Sequence, residues 1–186
     1  FYAYDRNGNV SMVSRSESDN PRRPFMAFKY DARGNPVNVA LLDKAGKPVH
    51  ETRIQYDQHS QPISVEAEES VSKFQYNTFG LMVRSTDTFG RTVSREYDLL
   101  NRLSSVVDAN GVCVSYKYSG ARLASIEKYA TAEKKDLLSS VKFSYDKDTG
   151  MLASVTDDRG RSSKFDRDAE GRIVAQYYPD NSMIKY

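Results

Sequence analysis

The residues best able to do chemistry are few and lie apart along the chain. His50 and His59 are its only histidines, and a metal site or catalytic pair would need a further ligand or partner held beside them. Glu66, Glu68 and Glu69 form the densest acidic patch and could act as paired carboxylates or calcium ligands, although a solvated hairpin turn is the simpler interpretation. We therefore interpret these residues as strand and turn residues, and predict no metal or cofactor site.

Aspartates that recur before glycines suggest a calcium loop, but the pattern lacks the density of oxygen ligands that such a loop needs. The sequence has no Gly-x-Ser-x-Gly elbow, no phosphate-binding loop and no dinucleotide fingerprint. With none of these motifs present, we predict that the chain is not an enzyme, and an enzyme built on an irregular insertion is the least favoured alternative.

A single cysteine, Cys113, cannot form an internal disulfide and has no second cysteine with which to begin a zinc site. It is out of phase with Val112 and Val114, so we interpret it as a small strand residue.

The charges are nearly balanced, with 27 Lys and Arg against 25 Asp and Glu. Such a balance gives no field that would steer the chain to nucleic acid or to an acidic membrane surface. No apolar run approaches the roughly 18 to 20 residues that cross a bilayer. We therefore expect neither nucleic acid nor membrane insertion.

The 186 residues are 39% hydrophobic, which is low for a domain with a thick two-layer core. Aromatic side chains offer another source of buried area, because the chain has 13 Tyr and 8 Phe but no Trp. Tyrosine buries a large ring while its hydroxyl still reaches a polar partner. This composition favours a thin, repetitive sheet with one wet face.

A dipeptide of an aromatic residue and Asp, Asn or Ser recurs along the whole chain. Its spacing predicts a unit of about twenty residues that is extended three times by insertions. We predict a single array over residues 1–186 of about eight units. Their anchors are Tyr4, Tyr30, Tyr56, Tyr76, Tyr97, Tyr118, Tyr145 and Phe165, and Tyr186 stands in phase with a ninth.

Each unit contains two reversal signals. An Asp or Asn follows the anchor and is usually followed by glycine, as in Asp31 to Gly34 and, more loosely, Asp166 to Gly171. About ten residues later comes an Asp-x-x-Gly signal, which ends at Gly46, Gly90, Gly111 and Gly160. Asp can bond to the backbone two residues on, and Gly accepts positive φ. Two reversals per unit predict two strands per unit and hence a long antiparallel meander.

The strand that leads into each anchor alternates apolar and polar residues, as in Met26, Phe28 and Tyr30. The position two before the anchor is polar at Arg95 and Ser163. The recurring aromatics predict a continuous stripe on one face, which is the candidate core.

The second strand of several units has apolar residues three apart: Leu103 and Val106, Leu123 and Ile126, Leu152 and Val155. A reversal every ten residues leaves no room for a typical helix, so we predict a β-bulge there. Other units alternate cleanly, as in Val37, Val39 and Leu41 and in Ile63, Val65 and Ala67.

Two insertions differ in kind. Residues 14–24 are polar, charged and proline-bearing, which predicts a loop. Residues 128–140 could form one or two helical turns, but we favour a lengthened hairpin with its turn near Glu133 to Asp136.

The unit Tyr97-Asp-Leu-Leu-Asn-Arg-Leu103, followed by Asp108-Ala-Asn-Gly111, resembles the YD repeat of bacterial RHS proteins. Similar repeats build the cocoon of insecticidal toxin complexes and the shell of animal teneurins. The resemblance covers essentially the whole chain and implies hairpins that form a curved or spiralling sheet around a hollow chamber, which in bacterial members holds a toxic C-terminal segment. The Asp-Pro-x-Gly motif and self-cleaving aspartates of that family's core region have no match here, so neither autoproteolysis nor toxicity is implied.

The resemblance implies a structural segment of a larger secreted or cell-surface bacterial protein. Its partners would be the rest of that RHS-like chain or a protein cargo such as a toxin. The alternative is a carbohydrate- or protein-binding module, in which tyrosines stack against sugars or a partner protein.

Overall fold

A computed structural model describes residues 1–15 and 23–186, and all the regular structure in these ranges is β strand. The chain divides into two compact units, Phe1–Thr92 and Val93–Tyr186. The described ranges contain no helix of the length and apolarity needed to span a membrane. The predicted all-β fold of antiparallel hairpins is confirmed.

In the first unit, β1 to β8 form a meander in which each strand pairs antiparallel with the next. The strands are β1 (Tyr2–Tyr4), β2 (Val10–Arg15), β3 (Arg23–Tyr30), β4 (Pro36–Leu42), β5 (Pro48–Tyr56), β6 (Pro62–Ala67), β7 (Ser70–Tyr76) and β8 (Met82–Thr86).

The second unit is also a meander. Its first strand begins at Thr92, which is one residue before Val93, where the unit itself begins. Each strand again pairs with its successor. The strands are β9 (Thr92–Tyr97), β10 (Leu103–Val107), β11 (Cys113–Ser119), β12 (Arg122–Tyr129), β13 (Leu137–Tyr145), β14 (Leu152–Asp157), β15 (Ser162–Arg167), β16 (Ile173–Tyr177) and β17 (Met183–Lys185).

We call the reversals that follow the anchors the anchor turns and the alternate ones the return turns. A typical anchor turn begins at Asp31, whose Oδ1 accepts the backbone N–H groups of Arg33 and Asn35 at 2.9 Å each. Gly34 takes φ of 85°, and its N–H bonds to the Asp31 carbonyl. The return turn from Asp108 to Val112 has the same geometry, because its Asp and Gly stand at the same positions.

Two anchor turns have this geometry without glycine. Ser60 and Asn101 take φ of 63° and 60° at the position where Gly34 stands. Asp57 and Asp98 begin these turns and accept the same pair of backbone N–H groups. The left-handed conformation is costly for most residues and less so for Asn, whose short side chain bonds locally.

A β-bulge follows every anchor turn between paired strands. The bulges predicted between Leu103 and Val106, between Leu123 and Ile126 and between Leu152 and Val155 are therefore confirmed, and the extra residues are Ser104, Ala124 and Ala153. The expectation of clean alternation is wrong in the hairpins that start at Pro36 and Pro62, because Val37 and Ile63 are bulge residues there. Each bulge after an anchor turn lies just after the residue that faces the anchor position, so the extra residue returns the following apolar side chains to one face.

The aromatic side chains at the anchors and two residues before them share one face of each meander, and the residues just before the anchors, such as Lys29 and Gln75, lie exposed on the other. Tyr129 and Tyr177 are on the second face, because they pair with Cys113 and Lys164. The stripe predicted as the core is only half-buried. With the exception of Leu42, the buried residues of the described ranges are small: Ala40, Ser64, Ser105, Cys113, Ser115, Ser125 and Ala175.

Cys113 is completely buried, and Ser115 shares its face, whereas Val114 is half-buried on the aromatic face. The buried positions of this strand therefore belong to the polar face. They are covered because long neighbours lie over short side chains, as where Ser105 donates to Glu96 Oε2 at 2.6 Å.

The predicted loop at 14–24 is shorter than expected, because Ser14 pairs with Pro24 and Arg15 with Arg23. The rest of that prediction, 16–22, lies outside the described residues. Across residues 128–140, Tyr129 pairs with Leu137 in a lengthened hairpin. Its turn spans 130–136, where the Ala130 N–H bonds to the Asp136 carbonyl.

Replacing Gly111 by Val is expected to destabilise the fold by about 1–2 kcal/mol, because φ at this residue is 84° and a β-branched side chain clashes there. Ala109→Val is the matched control, since it adds valine to the same turn at negative φ and should change stability by less than about 0.5 kcal/mol. Urea unfolding measures both. Equal midpoints for Gly111→Val and wild type would contradict the turn assignment.

Candidate functional site

Each anchor tyrosine lies at or next to the end of its strand and faces a residue at the start of the strand that follows its anchor turn. This position pairs Tyr30 with Pro36, Tyr56 with Pro62 and Tyr97 with Leu103. The same pairing holds for Tyr4 with Val10, Tyr76 with Met82, Tyr118 with Leu123 and Tyr145 with Leu152. The residue that faces the anchor therefore has the same place in each of these hairpins, and we call it the facing residue.

Several anchor hydroxyls donate to backbone carbonyls of the preceding hairpin, and in each case the acceptor is that hairpin's facing residue. We call this set of bonds the tyrosine ladder. Its bonds are Tyr30 to Val10 (2.8 Å), Tyr56 to Pro36 (3.1 Å), Tyr76 to Pro62 (2.9 Å), Tyr118 to Leu103 (2.9 Å) and Tyr145 to Leu123 (2.8 Å).

The ladder bond holds the tyrosine ring against the preceding hairpin, where the side chain is half-buried. Burial raises the pKa of Tyr56 and Tyr76 above the ordinary value, and the negative charge of the preceding turn, at Asp31 and Asp57 respectively, raises it further. The neutral hydroxyl that donates in the ladder is therefore the form favoured at neutral pH.

Side chains also join successive anchor turns. In the first unit, Arg33 Nη1 donates to the Asp57 carbonyl at 3.1 Å, and Gln61 Nε2 donates to the Gly80 carbonyl at 2.8 Å. Asn35 Nδ2 donates to Ser60 Oγ at 2.9 Å. These contacts hold the turns together along the edge at which the ladder lies.

Arg102 shows how one side chain combines these contacts. Its guanidinium pairs with Asp98 Oδ2 at 2.7 Å and lies over the Tyr118 ring, 4.0 Å from the centroid. It also donates to the Gly120 carbonyl in the next anchor turn. The hydrogen bond from the Arg102 side chain, followed by that from its backbone N–H, lowers the pKa of Asp98 below its ordinary value.

The structure places Arg167, and not Phe165, at the position that the anchor tyrosines occupy. Arg167 pairs with Ile173, and the turn begins at Asp168, whose Oδ1 accepts the Arg172 N–H at 2.8 Å. Phe165 therefore stands two residues before the anchor position. The Asp166 that follows it accepts the Tyr177 hydroxyl and does not begin the turn.

The glycines predicted as repeat positions lie in return turns, away from the ladder. Gly46, Gly90, Gly111 and Gly160 take φ between 77° and 84°. Each donates its N–H to the carbonyl of the aspartate three residues earlier.

The residues considered for catalysis and metal binding do not converge. His50 contacts Glu68, and His59 Nδ1 lies 3.9 Å from Asp57 Oδ2. Among residues 1–15 and 23–186, no three His, Cys, Asp or Glu side chains are grouped so that they could hold a metal ion. Burial raises the pKa of Cys113, which disfavours the reactive thiolate.

The contacts of Arg33, Gln61 and Arg102 were not expected from the sequence. Arg102 had a signal, because an Asp followed four residues later by Arg recurs at Asp87, Asp157 and Asp168. Arg33 and Gln61 share no residue type or turn position, so no recurring pattern in the sequence points to their contacts.

A family model described as Teneurin YD-shell matches residues 58–186, more than half of the 186 residues. No curated protein matches the sequence.

Several solved toxin complexes have a similar fold. The crystal structure of TcdB2-TccC3 aligns with a TM-score of 0.63 at 12% identity, over 91% of this chain and 11% of that one. The crystal structure of TcdB2-TccC3-Cdc42 aligns with a TM-score of 0.59 at 13% identity, over 94% of this chain and 12% of that one. A Tc holotoxin pore from Photorhabdus luminescens aligns with a TM-score of 0.58 at 13% identity, over 94% of this chain and 11% of that one. This chain thus spans about an eighth or less of the length of these chains.

Tyr118→Phe removes one ladder bond and keeps the ring, so it is expected to lower stability by about 0.5–1.5 kcal/mol. Tyr4→Phe is the matched control, because Tyr4 holds the same turn position but is 62% exposed. We expect this variant to lower the free energy of unfolding by no more than about 0.5 kcal/mol. Denaturant melts compare the two variants. A loss no larger for Tyr118→Phe than for Tyr4→Phe would show that the ladder does not stabilise the fold.

Asp98→Asn is expected to reduce the sensitivity of the fold to acid. The pKa of Asp98 is lower in the folded chain, so the stability it gives is complete above about pH 4–5 and is lost as pH falls through the folded pKa. Asparagine keeps the turn, because Asn77 Oδ1 accepts the matching backbone N–H groups at 3.0 Å.

The measurement is the urea midpoint of wild type and variant at pH 6 and pH 3. The midpoint should fall less between these values in Asp98→Asn. An equal fall in both proteins would show that the ionised Asp98 carboxylate does not stabilise the turn.

Proposed function

Because this chain belongs to the Teneurin YD-shell family, we propose that it is a wall segment of a larger secreted or cell-surface protein that encloses or presents a cargo such as a toxin. The family match and the fold shared with the TcdB2-TccC3 complexes support a structural shell segment. Secretion, a bacterial source and the cargo itself are inferences from that likeness.

The tyrosine ladder is the observation that carries this proposal. A wall one sheet thick has no second layer to hold it, so each hairpin must be fixed by its neighbours within the sheet. The bond from Tyr56 to Pro36 and the bond from Tyr76 to Pro62 repeat one contact in successive hairpins. Such nearest-neighbour contacts allow a sheet to be lengthened by adding units, as in other repeat proteins.

We propose that residues 1–186 are one array of about eight such units. The anchors would be the predicted tyrosines together with Arg167, which takes the place first given to Phe165. The return-turn glycines Gly46, Gly90, Gly111 and Gly160 would then mark the opposite ends of the hairpins.

The partners we propose are the rest of the parent chain and a protein cargo. The exposed polar face, with Lys29, Gln75 and Lys117, suits contact with water. The half-buried aromatic face, with Phe28 and Phe74, keeps apolar area that a cargo or a neighbouring part of the parent chain could cover. We propose no enzymatic role, because His50, His59 and Glu68 lie in exposed strand and turn positions.

A carbohydrate- or protein-binding module is the second candidate, favoured by a cleft between the anchor turns at 57–61 and 77–81. Its lining includes the amides of Gln58 and Gln75, the imidazole of His59 and the ring of Phe79, which is 72% exposed. An exposed aromatic ring beside amide groups can stack on a sugar and bond to its hydroxyls.

Antibodies raised against this chain test the leading proposal when they are applied to cell, surface and medium fractions of the source organism. We expect a polypeptide several times larger than 21.1 kDa in the surface or medium fraction. Detection only in the cytosol, or as a 21 kDa protein, would contradict the proposal.

Protease treatment of the same native protein tests the cargo. A segment of the parent chain, or a bound protein, should resist digestion until the shell is denatured. Binding on a glycan array that is lost in Phe79→Ala, together with no protected segment, would favour the binding module instead.

A further inference from the structure

A group of unused polar side chains lies on the polar face of the first unit, where β5 pairs with β6, β6 with β7 and β7 with β8. Cross-strand pairing places Ser64 between Gln55 and Lys73. Gln75, two residues along β7 on the same face, stands opposite Arg84. All of these side chains except that of Ser64 are exposed. We call the five side chains the β5–β8 patch.

The groups of this patch have no polar partner among residues 1–15 and 23–186. Lys73 and Arg84 form no ion pair there, unlike Arg53, which bonds to Glu51 at 3.0 Å. Ser64 is only 7% exposed, and its hydroxyl oxygen has no hydrogen-bond partner in these ranges although it is not fully enclosed. A covered hydroxyl without a partner costs free energy, which a ligand that bonds to it recovers.

The charge of the patch is positive, because it contains two cations and no acid. Glu66 is on the same face, but it stands between Arg53 on β5 and Val71 on β7. Arg53 therefore has carboxylates beside it, whereas the charges of Lys73 and Arg84 are left unmatched. Two neighbouring unmatched cations attract an anion.

The spacing of the two cations indicates which anion fits. Lys73 faces Thr86, which is two residues along β8 from Arg84. Lys73 and Arg84 are therefore diagonal neighbours, and the Cβ atoms of such neighbours lie about 7–8 Å apart. Side chains two residues apart in an extended segment point to one side and are separated by about 6.5 Å. Carboxylates at these two positions match the two cations.

A protein segment fits this patch better than a polyanion such as nucleic acid or a sulfated polysaccharide. Polyanions owe their affinity to many cations along a surface, and here Lys73 and Arg84 are the only ones without a carboxylate. The amides of Gln55 and Gln75 can both donate and accept hydrogen bonds, as the backbone groups of an extended peptide require.

We propose that the β5–β8 patch docks an extended acidic segment of a partner protein, with two carboxylate side chains two residues apart. One carboxylate pairs with the Arg84 guanidinium, which can hold both of its oxygens, and the other with the Lys73 ammonium. The Ser64 hydroxyl donates to the carboxylate at Lys73, and the glutamine amides bond to the backbone of the segment. This interaction goes beyond the shell function and holds whether or not the parent protein encloses a cargo.

An NMR titration of the whole chain with a blocked peptide, Thr-Glu-Thr-Glu-Thr, tests the docking. The matched control is Thr-Thr-Glu-Glu-Thr, which has the same charge but turns its two glutamates to opposite sides when extended. The backbone amide resonances of Lys73 and Arg84 should shift with both peptides. The dissociation constant should be about two- to fivefold lower for the first peptide, since that factor corresponds to one more ion pair at a surface.

Two variants test the location. Lys73→Gln and Arg84→Gln should each remove the preference between the peptides, because only one carboxylate then meets a cation. Lys44→Gln is the control, since it removes the same charge from an exposed return turn and should leave the preference unchanged.

Equal affinities of the two peptides for wild type would overturn the proposal, and this comparison does not depend on the folding of any variant. A preference that persists in both patch variants would also overturn it. Shifts of these resonances with heparin but with neither peptide would identify a polyanion site instead, and would equally contradict the docking of an acidic segment.

Discussion

The fold depends on a hydroxyl that reaches from one hairpin to the backbone of the hairpin before it. A single-layer sheet cannot bury a large apolar core, and the residues buried here are small, such as Ala40, Ser105 and Cys113. Each ladder bond contributes only about 0.5–1.5 kcal/mol net, but the ring that carries it also covers apolar surface on the neighbouring strand. Cohesion therefore comes from many similar contacts between neighbours, and not from one central core.

The turns and bulges determine whether the tyrosine can reach its acceptor. An Asp at the start of the anchor turn fixes its backbone, and a residue at positive φ closes it, whether Gly34 or Asn101. The bulge just beyond, at Val37 or Ser104, restores the apolar alternation without moving the facing residue. The carbonyl of that facing residue then stands beside the next strand end, where the next anchor hydroxyl meets it.

Much of this arrangement could be predicted from the sequence, because turns and alternation are local properties. The Asp-x-x-Gly pattern identified the return turns, and apolar spacing of three identified the bulges after Leu103 and Leu123. The phase at Phe165 was misjudged because Phe-Asp imitates the Tyr-Asp signal, while the turn that follows Arg167 carries its own Asp and Gly. The tyrosine ladder could not be predicted in the same way, because no local sequence pattern indicates which carbonyl a tyrosine hydroxyl will bond to.

The same limit applies to the polar face. Cys113 looked out of phase with the valines beside it, yet it is the most completely buried of the described residues. Its burial depends on the neighbouring strands, in which it pairs with Val107 and Tyr129, and these pairings require the register of the meander. Similarly, Arg167 is conspicuous only once the other anchors have shown what normally occupies its place.

A double-mutant cycle between neighbouring ladder tyrosines tests most directly whether each hairpin is held by the one before it. Tyr56 and Tyr76 are linked, because the Tyr76 hydroxyl bonds to Pro62, which faces Tyr56. The free energies of unfolding of Tyr56→Phe, Tyr76→Phe and the double variant should differ from additivity by at least about 0.5 kcal/mol. Tyr30→Phe with Tyr76→Phe, whose ladder bonds share no strand, should be additive within about 0.5 kcal/mol. Additivity in both cycles would contradict the account, because the tyrosines would then stabilise their hairpins independently.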